Sequence, residues 1–282
     1  MTRQPENFAG ARLGALQRQT VLDPLDWRVL LCHVLNLTRA QLISQSERIL
    51  TSDEARLLAD VFRRRINGEP IAYITGEREF YGLSFRVTPD ALIPRPETEL
   101  LVECALERLP QGANVLDMGT GSGAIAVAIA HARPDIHMTA LDASPAALTV
   151  AQENAHRILA GKAPIRFLQS DWFAALAQDE RFDLIVSNPP YIASGDPHLS
   201  QGDLRFEPTG ALTDQADGLS ALRTIVLGAP KHLKPKAWLL MEHGFDQATQ
   251  VKKLLYGQHF EAVQTWTDLA GRDRVTGGKW RV

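Results

Sequence analysis

The sequence predicts an α/β chain: a doubly wound, mostly parallel sheet with an antiparallel edge strand, plus a small all-helical N-terminal domain. Three observations carry this reading. Capping signals and apolar stripes of helical period fill residues 1–75, with no strand pattern among them. From Glu97 onward, short apolar strands alternate with helical stretches, as in a parallel sheet covered by helices on both faces. The tail carries two strand-like runs joined by the turn-rich segment DLAGRDR, which suits an antiparallel edge.

In the helical part, Asp23-Pro24 reads as an N-cap followed by proline at the first helical position. Leu25, Val29, Cys32 and Leu35 then recur near one face. Thr38 can cap a short helix with Leu42 and Ile43 inside. Thr51 and Glu54 have capping-box spacing, and Leu58, Val61, Phe62 and Ile66 form a stripe ended by Asn67-Gly68. Each stripe is expected to be bundle core. Aromatic residues, alternation and prolines then predict a β-hairpin connector at 76–96. Expected strands follow at Asn114–Met118, His137–Leu141, Ile165–Leu168, Leu184–Ser187 and Trp238–Met241. Expected helices lie near 97–109, 123–132, 145–160 and 218–233, and the tail strands at Phe260–Thr265 and Val275–Arg281.

Charge narrows the partners. The 282 residues carry 30 basic and 33 acidic side chains, a net of −3, which argues against a protein held on nucleic acid by overall charge. Residues 1–80 hold 11 Arg, no Lys and 10 Asp plus Glu, a net of +1, so Arg63-Arg64-Arg65 reads as a solvated helix face. Cys32 and Cys104 sit in apolar helical patterns and read as buried thiols, which excludes a disulfide framework. The histidines show no ligand spacing, and no metal is expected. The longest apolar run, Ala124–Ala130, is far short of the ~20 residues a membrane helix needs. The start of the chain lacks the apolar core of a signal peptide, so a cytoplasmic location without membrane contact is expected.

The strongest local signal is VLDMGTGSGAIA. An apolar strand runs through Asp117 into Gly119-Thr120-Gly121-Ser122-Gly123 and then an apolar helix, a turn in which glycine lets a ligand approach the backbone. The second strand ends in Asp142, an acid placed to accept both hydroxyls of a ribose. Both NAD and S-adenosyl-L-methionine (SAM) carry ribose. Three details favour SAM over NAD and over a purely structural turn. Ala124 stands where the dinucleotide pattern wants its last glycine. Asp117 can hold an ammonium group, which SAM has and NAD lacks. Ser170-Asp171-Trp172, after the third strand, can frame an adenine.

The fourth strand ends in Asn188-Pro189-Pro190-Tyr191, at the carboxyl edge where ligands of open α/β sheets bind. A planar NH2 beside a carbonyl or aromatic ring is a poor nucleophile. Two acceptors aimed at its hydrogens, the Asn188 side-chain carbonyl and the Pro189 backbone carbonyl, fix its plane and favour the developing positive charge. Proline adds no competing N–H, and Tyr191 can stack on the flat substrate group. In-line methyl transfer from the sulfonium of SAM, leaving S-adenosyl-L-homocysteine, is the expected reaction.

This pairing of a SAM loop with Asn-Pro-Pro-Tyr resembles two groups that methylate planar nitrogen. They are adenine-N6 DNA or RNA methyltransferases and protein glutamine-N5 methyltransferases. The rest of the chain is similar to one family in particular, the peptide chain release factor glutamine methyltransferases (the PrmC/HemK family). The similarity is carried by DWRVLLCHVLNLTRAQL, GEPIAYITGEREFYGLSFRVTPDALIPRPETELLVE, DMGTGSGAIA, QSDWF, SNPPYI, DPHL, RFEPTGAL, LLMEHG and GRDRVTGGKW. It implies a class I, Rossmann-like SAM-dependent methyltransferase. Its substrate would be the glutamine of the Gly-Gly-Gln motif in release factors that terminate translation. It implies SAM contacts from Gly119, Thr120, Gly121, Ser122, Gly123, Asp142, Trp172 and Asn188. Asn188, Pro189, Pro190 and Tyr191 would hold the glutamine amide, with Asn188, Pro189 and Tyr191 catalytic. Arg95 and Glu97, with Glu207 and Pro208, would line the same cleft. The implied division is a substrate-docking domain at 1–75, the connector at 76–96 and the methyltransferase domain at 97–282. The expected partner is a release factor, without direct nucleic-acid binding, and the expected state is a monomer.

Overall fold

The computed structural model describes residues 8–18 and 21–281. The polar start of the chain at 1–7, which entered the reading of the N-terminus, lies outside them. The chain divides into two compact units, Met1–Gly76 and Glu77–Val282.

The first unit is helical: α1 (Leu13–Leu16), α2 (Pro24–Leu35), α3 (Arg39–Ser44), α4 (Ser52–Ile66) and α5 (Ile71–Thr75). The caps form as the sequence implies. Asp23 accepts from the amides of Leu25 and Asp26, and both Thr38–Gln41 and Thr51–Glu54 close full capping boxes. The core gathers Leu30, Leu31, Leu42, Leu58 and Phe62 around Trp27. The Trp27 indole stands edge-on to Phe62 at 5.5 Å and donates its N–H to the Leu16 carbonyl at 2.8 Å.

The expected stripes need correction. Leu25 and Val29 are exposed, as are Ile43 and Ile66. Trp27 is the bulkiest apolar group of α2 and sets its rotation. Positions two residues away lie about 200° around the helix, so Leu25 and Val29 face outward. Leu42 takes the inner side of the short α3 and leaves its neighbour Ile43 outside. Ile66 falls on the outer side of the last turn of α4. Cys32 is half-buried and only Cys104 is buried. The arginine triplet is tied to acids: Arg63 lies 3.4 Å from Asp60, Arg64 2.5 Å from Glu69 and Arg65 2.7 Å from Asp26.

The second unit opens with the antiparallel hairpin β1 (Glu77–Phe80) and β2 (Leu83–Arg86). After it come α6 (Glu99–Leu106), β3 (Asn114–Met118), α7 (Ala124–Ala132), β4 (His137–Asp142), α8 (Pro145–Leu159), β5 (Ile165–Gln169) and β6 (Phe182–Ser187). The chain ends with α9 (Thr209–Leu212), α10 (Ser220–Gly228), β7 (Leu233–Glu242), α11 (Ala248–Gly257), β8 (Glu261–Thr267) and β9 (Asp273–Lys279). The hairpin is part of this unit and packs its Phe80 and Phe85 into the same core as α6 and α7.

The seven-stranded sheet runs β5-β4-β3-β6-β7-β9-β8. Strands β3 to β7 are parallel, and β9 is antiparallel to β7. This is the mostly parallel, doubly wound sheet with an antiparallel edge. The reversed strand lies one place in from the edge, because α11 carries the chain past it to β8. Alternate residues of β3 feed the two cores: Val115 joins the layer of α6, α7 and α8, and Leu116 joins that of α10 and α11.

Two boundaries shift by five residues. β7 begins at Leu233 rather than Trp238, with an irregular register between Phe182↔Leu233 and Leu184↔Trp238 around Pro235. The expected helix near 218–233 therefore stops early. Sequence reading passed over α11, although Ala248, Val251 and Leu255 bury one face at helical spacing. Among the described residues no helix is long and apolar enough to cross a membrane, and no group of acids, histidines and cysteines is placed to hold a metal ion.

Candidate active site

The strand order reverses between β3 and β6, and that switch point brings the two motifs together. Met118 pairs with Leu141 on one side and with Ser187 on the other, so the glycine loop, Asp142 and Asn188 leave the sheet side by side. The Ser187 hydroxyl donates to the Met118 carbonyl at 2.7 Å, and the amides of Gly119 and Thr120 both donate to the Leu141 carbonyl at 2.9 Å. These bonds hold the three strand ends in register.

The loop takes the left-handed backbone expected of glycine, with φ of +72° at Gly119, +56° at Gly121 and +82° at Gly123. Gly123 starts α7 against α8, where an added Cβ would stand 3.1 Å from the Ala151 Cβ. Asp142 is the bracket of the site. Its Oδ2 accepts from the Gly121 amide at 2.8 Å and its Oδ1 from the Ser144 amide at 2.9 Å. Burial raises its pKa, and the amides of Ser144 and Gly121 oppose that rise. Each oxygen keeps a further lone pair for a hydroxyl.

A cavity of about 300 Å³ opens at these strand ends. Gly119, Gly121, Asp142, Trp172, Asn188 and Pro190 line it, and Pro208 contributes to its wall. Trp172 has φ +47°, unusual for a side chain of its size. Ser170 stabilises that turn by donating to the Trp172 carbonyl at 2.7 Å and accepting from the Ala175 amide at 3.0 Å. Sequence reading missed several lining residues. Asp90, Ala91 and Leu92 come from the connector, Ser144 and Ala147 from the start of α8, and Gly210 and Ala211 from α9. The segments FRVTPDAL and RFEPTGAL contain the first three and the last pair without marking them as lining.

Other expected residues are not among those lining this cavity. Thr120, Ser122 and Gly123 are buried under the loop. Asp117 has no exposed surface, and its Oδ2 accepts from the Thr120 hydroxyl at 2.6 Å. Burial pushes its carboxyl up to about 7. Its place is therefore bracing the loop from beneath, not meeting an ammonium group in the cavity. Pro189 is buried and Glu97 is exposed on the turn Pro96–Thr98. Arg95 is ion-paired with Glu207, whose other oxygen accepts from the Ile93 amide at 3.0 Å. Burial raises the Glu207 pKa and Arg95 opposes it. This pair ties the connector to the segment leading into α9.

Around the acceptor motif, the Asn188 side-chain nitrogen donates to the Thr98 hydroxyl at 3.2 Å. The Tyr191 hydroxyl donates to Glu242 at the end of β7, at 3.3 Å. Burial pushes the Glu242 carboxyl up to about 7, and burial beside that acid also raises the Tyr191 phenol. The Gln247 amide donates to the backbone carbonyls of Tyr191 and Gly218 at 3.0 and 3.1 Å, fixing the chain beyond the motif.

A glycine loop and ribose-type acid meeting an Asn-Pro-Pro-Tyr segment at the switch point of a seven-stranded sheet define a SAM-dependent methyltransferase. Family models agree along the chain: the PrmC N-terminal domain matches residues 14–76 and the methyltransferase small domain residues 96–203. The release factor glutamine methyltransferase of Burkholderia pseudomallei is 54% identical over 276 residues, covering 95% of this chain and 96% of that protein. That of Neisseria gonorrhoeae is 51% identical over 261 residues, covering 92% and 94%. The chain belongs to the release factor glutamine methyltransferase family. Among solved structures, the T. thermophilus 16S rRNA N2 G1207 methyltransferase has a TM-score of 0.53 at 24% identity. The match covers 73% of this chain and 50% of that one, a likeness of fold.

Proposed function

We propose that this protein transfers a methyl group from SAM to the side-chain amide nitrogen of the glutamine in the Gly-Gly-Gln motif of peptide chain release factors. The observation that carries this reading is the presence of Asn188 on the same cavity wall as Gly119, Gly121 and Asp142. The cavity suits SAM in its chemistry. Asp142 offers lone pairs to the ribose, Trp172 a flat apolar face to the adenine, and the loop a close backbone approach. When bound, SAM supplies an electrophilic methyl on a sulfonium.

The residues of the chain then do the positioning. The Asn188 Oδ1 accepts one hydrogen of the substrate amide, because its nitrogen is engaged by Thr98. The Pro189 backbone carbonyl accepts the other. Together they hold the NH2 plane and stabilise the positive charge that develops on nitrogen. Tyr191 packs against the amide, and no strong base is required before attack. Arg95 acts on the site through Glu207. The helical unit docks the body of the release factor, since a large folded substrate needs a second surface. The reaction takes place in the cytoplasm.

The test is to mix enzyme, SAM and unmethylated release factor and to localise the product by mass spectrometry. One added methyl on the Gly-Gly-Gln glutamine is expected. An unmodified release factor, or transfer to nucleic acid instead, would overturn the proposal.

A further inference from the structure

Glu242 is 1% exposed, stands at the carboxyl end of β7, and has a buried oxygen, Oε2, without a hydrogen-bond partner. A buried carboxylate with an unpaired oxygen is costly, and a stable fold would replace it with an apolar residue unless it served the site. Its surroundings show what it serves. Its Oε1 accepts from the Tyr191 hydroxyl, and the Thr98 hydroxyl stands next to the carboxylate and favours its charged form. Thr98 in turn receives the Asn188 side-chain nitrogen. Arg274, paired with Asp268 at 3.2 Å, adds positive charge to this pocket, and Glu97 adds negative charge. The acid therefore reaches both polar members of the Asn-Pro-Pro-Tyr segment, one directly and one through Thr98.

A carboxamide has two orientations that differ by exchange of N and O, and its neighbours decide between them. Only one orientation leaves Asn188 Oδ1 for a substrate N–H. We propose that Glu242 is a positioning residue for methyl transfer. As an acceptor-only group it draws the Thr98 and Tyr191 hydroxyl protons toward itself, which leaves the Thr98 oxygen to accept from the Asn188 nitrogen and turns Asn188 Oδ1 to the acceptor. The proposal rests on the role given above to Asn188, and it adds the group that sets the direction of its hydrogen bonds.

The experiment follows the Asn188 side-chain NH2 resonances by nitrogen–proton correlation NMR at about pH 8, above the value of about 7 to which burial pushes the Glu242 carboxyl. They are assigned by their loss in Asn188→Ala. In the wild type, one proton is shifted downfield and protected from exchange. Glu242→Gln and Thr98→Val remove that shift and protection, whereas Thr98→Ser restores them. Resonances unmoved in Glu242→Gln would overturn the proposal, whatever Thr98→Val does. Where Glu242→Gln does not fold, Glu242→Asp takes its place: the shortened acid shifts the resonances, and resonances unmoved there would overturn the proposal equally.

Turnover gives a second reading. Glu242→Gln lowers kcat on the order of 10²-fold, with SAM affinity within about twofold of wild type. In the Asn188→Ala background the same change has no further effect, because the residue it positions is gone. An equal loss in both backgrounds would also overturn the proposal. A wild-type enzyme that leaves release factors unmodified would defeat the proposed substrate while the resonances still decide the role of Glu242.

Discussion

Asn154 has no exposed surface, and its carboxamide is committed to backbone groups from two distant segments. Its Oδ1 accepts from the Arg86 amide at 2.8 Å. Its nitrogen donates to the carbonyls of Arg86 and Ser122, both at 2.9 Å. One side chain on α8 thus clips the hairpin strand β2 and the cofactor loop together. Asn154→Ala removes these three bonds to the backbone, along with a longer contact from the Arg157 guanidinium at 3.4 Å. At about 1 kcal/mol net for each, the loss is about 3 kcal/mol, and the two orphaned carbonyls push it upward. For a unit of this size that lowers Tm by about 6–12 °C. The mutation also frees the Ser122 carbonyl, so SAM binding weakens alongside. Asn154→Asp keeps the acceptor for Arg86 but turns a carboxylate oxygen toward two carbonyls, and it falls at least as far. The assay is thermal unfolding by calorimetry, paired with a SAM titration of each variant at a temperature where it is folded. A Tm within about 2 °C of wild type with unchanged SAM affinity would show that hairpin and loop hold without the clip.

Asn188→Ala is expected to lower turnover by on the order of 10²–10³-fold with little change in SAM affinity, read by single-turnover methylation and calorimetric titration. Asp142→Ala weakens SAM binding by about 10- to 100-fold, through lost hydroxyl contacts and a freed Gly121 amide. Gly123→Ala forces a left-handed backbone on a residue with a Cβ, at about 1–2 kcal/mol, and crowds Ala151, so denaturant midpoints fall. Removing Arg95 strands the buried Glu207 carboxylate; Arg95→Ala costs about 3 kcal/mol, the low end because the guanidinium is partly exposed, and adding Glu207→Leu recovers much of it. Asp117 has a folded pKa of about 7, raised by burial, so it binds more protons folded than unfolded between about pH 4 and 7. Its contribution to stability is present below that window and is lost as pH rises through it. The stability gain of Asp117→Asn over wild type therefore grows from pH 4 to pH 7 in urea titrations, and a gain independent of pH would contradict the assignment.

Much of the fold was legible because its signals are local. Capping pairs such as Thr51–Glu54, the glycine loop and the apolar strands each announce themselves within a few residues. Strand order was not legible, and it is what joins Asn188 to Asp142. Nothing near Ser187 says that it pairs with Met118. The rotation of α2 was misread because periodicity ranks Leu25 and Trp27 alike, whereas the packing of one large indole decides which face turns inward. In the site, the sequence marks residues that carry a chemical motif, and packing shows which of them line the cavity and which stand behind it. Asp117 carries the right charge for a ligand but sits beneath the loop. Glu242 lies in LLMEHG, which says nothing of its role, and Asn154 belongs to no pattern; only tertiary packing reveals what they hold.

The strand order also settles how the sheet avoids sticking to other molecules. β7 carries Glu242 and is apolar along its second half, and without β9 it would present an open row of amides and carbonyls. The returning hairpin covers that row and moves the free margin out to β8. There the surface is largely exposed and polar, the register with β9 is broken between Glu261 and Gln264, and Ala262 has φ +50°. A kinked, wet outer strand is a poor template for another chain. The same terminal segment also brings the positive charge of Arg274 near Tyr191 and Glu242, and a chain shortened before Asp273 would lose that charge and the cover of β7 together.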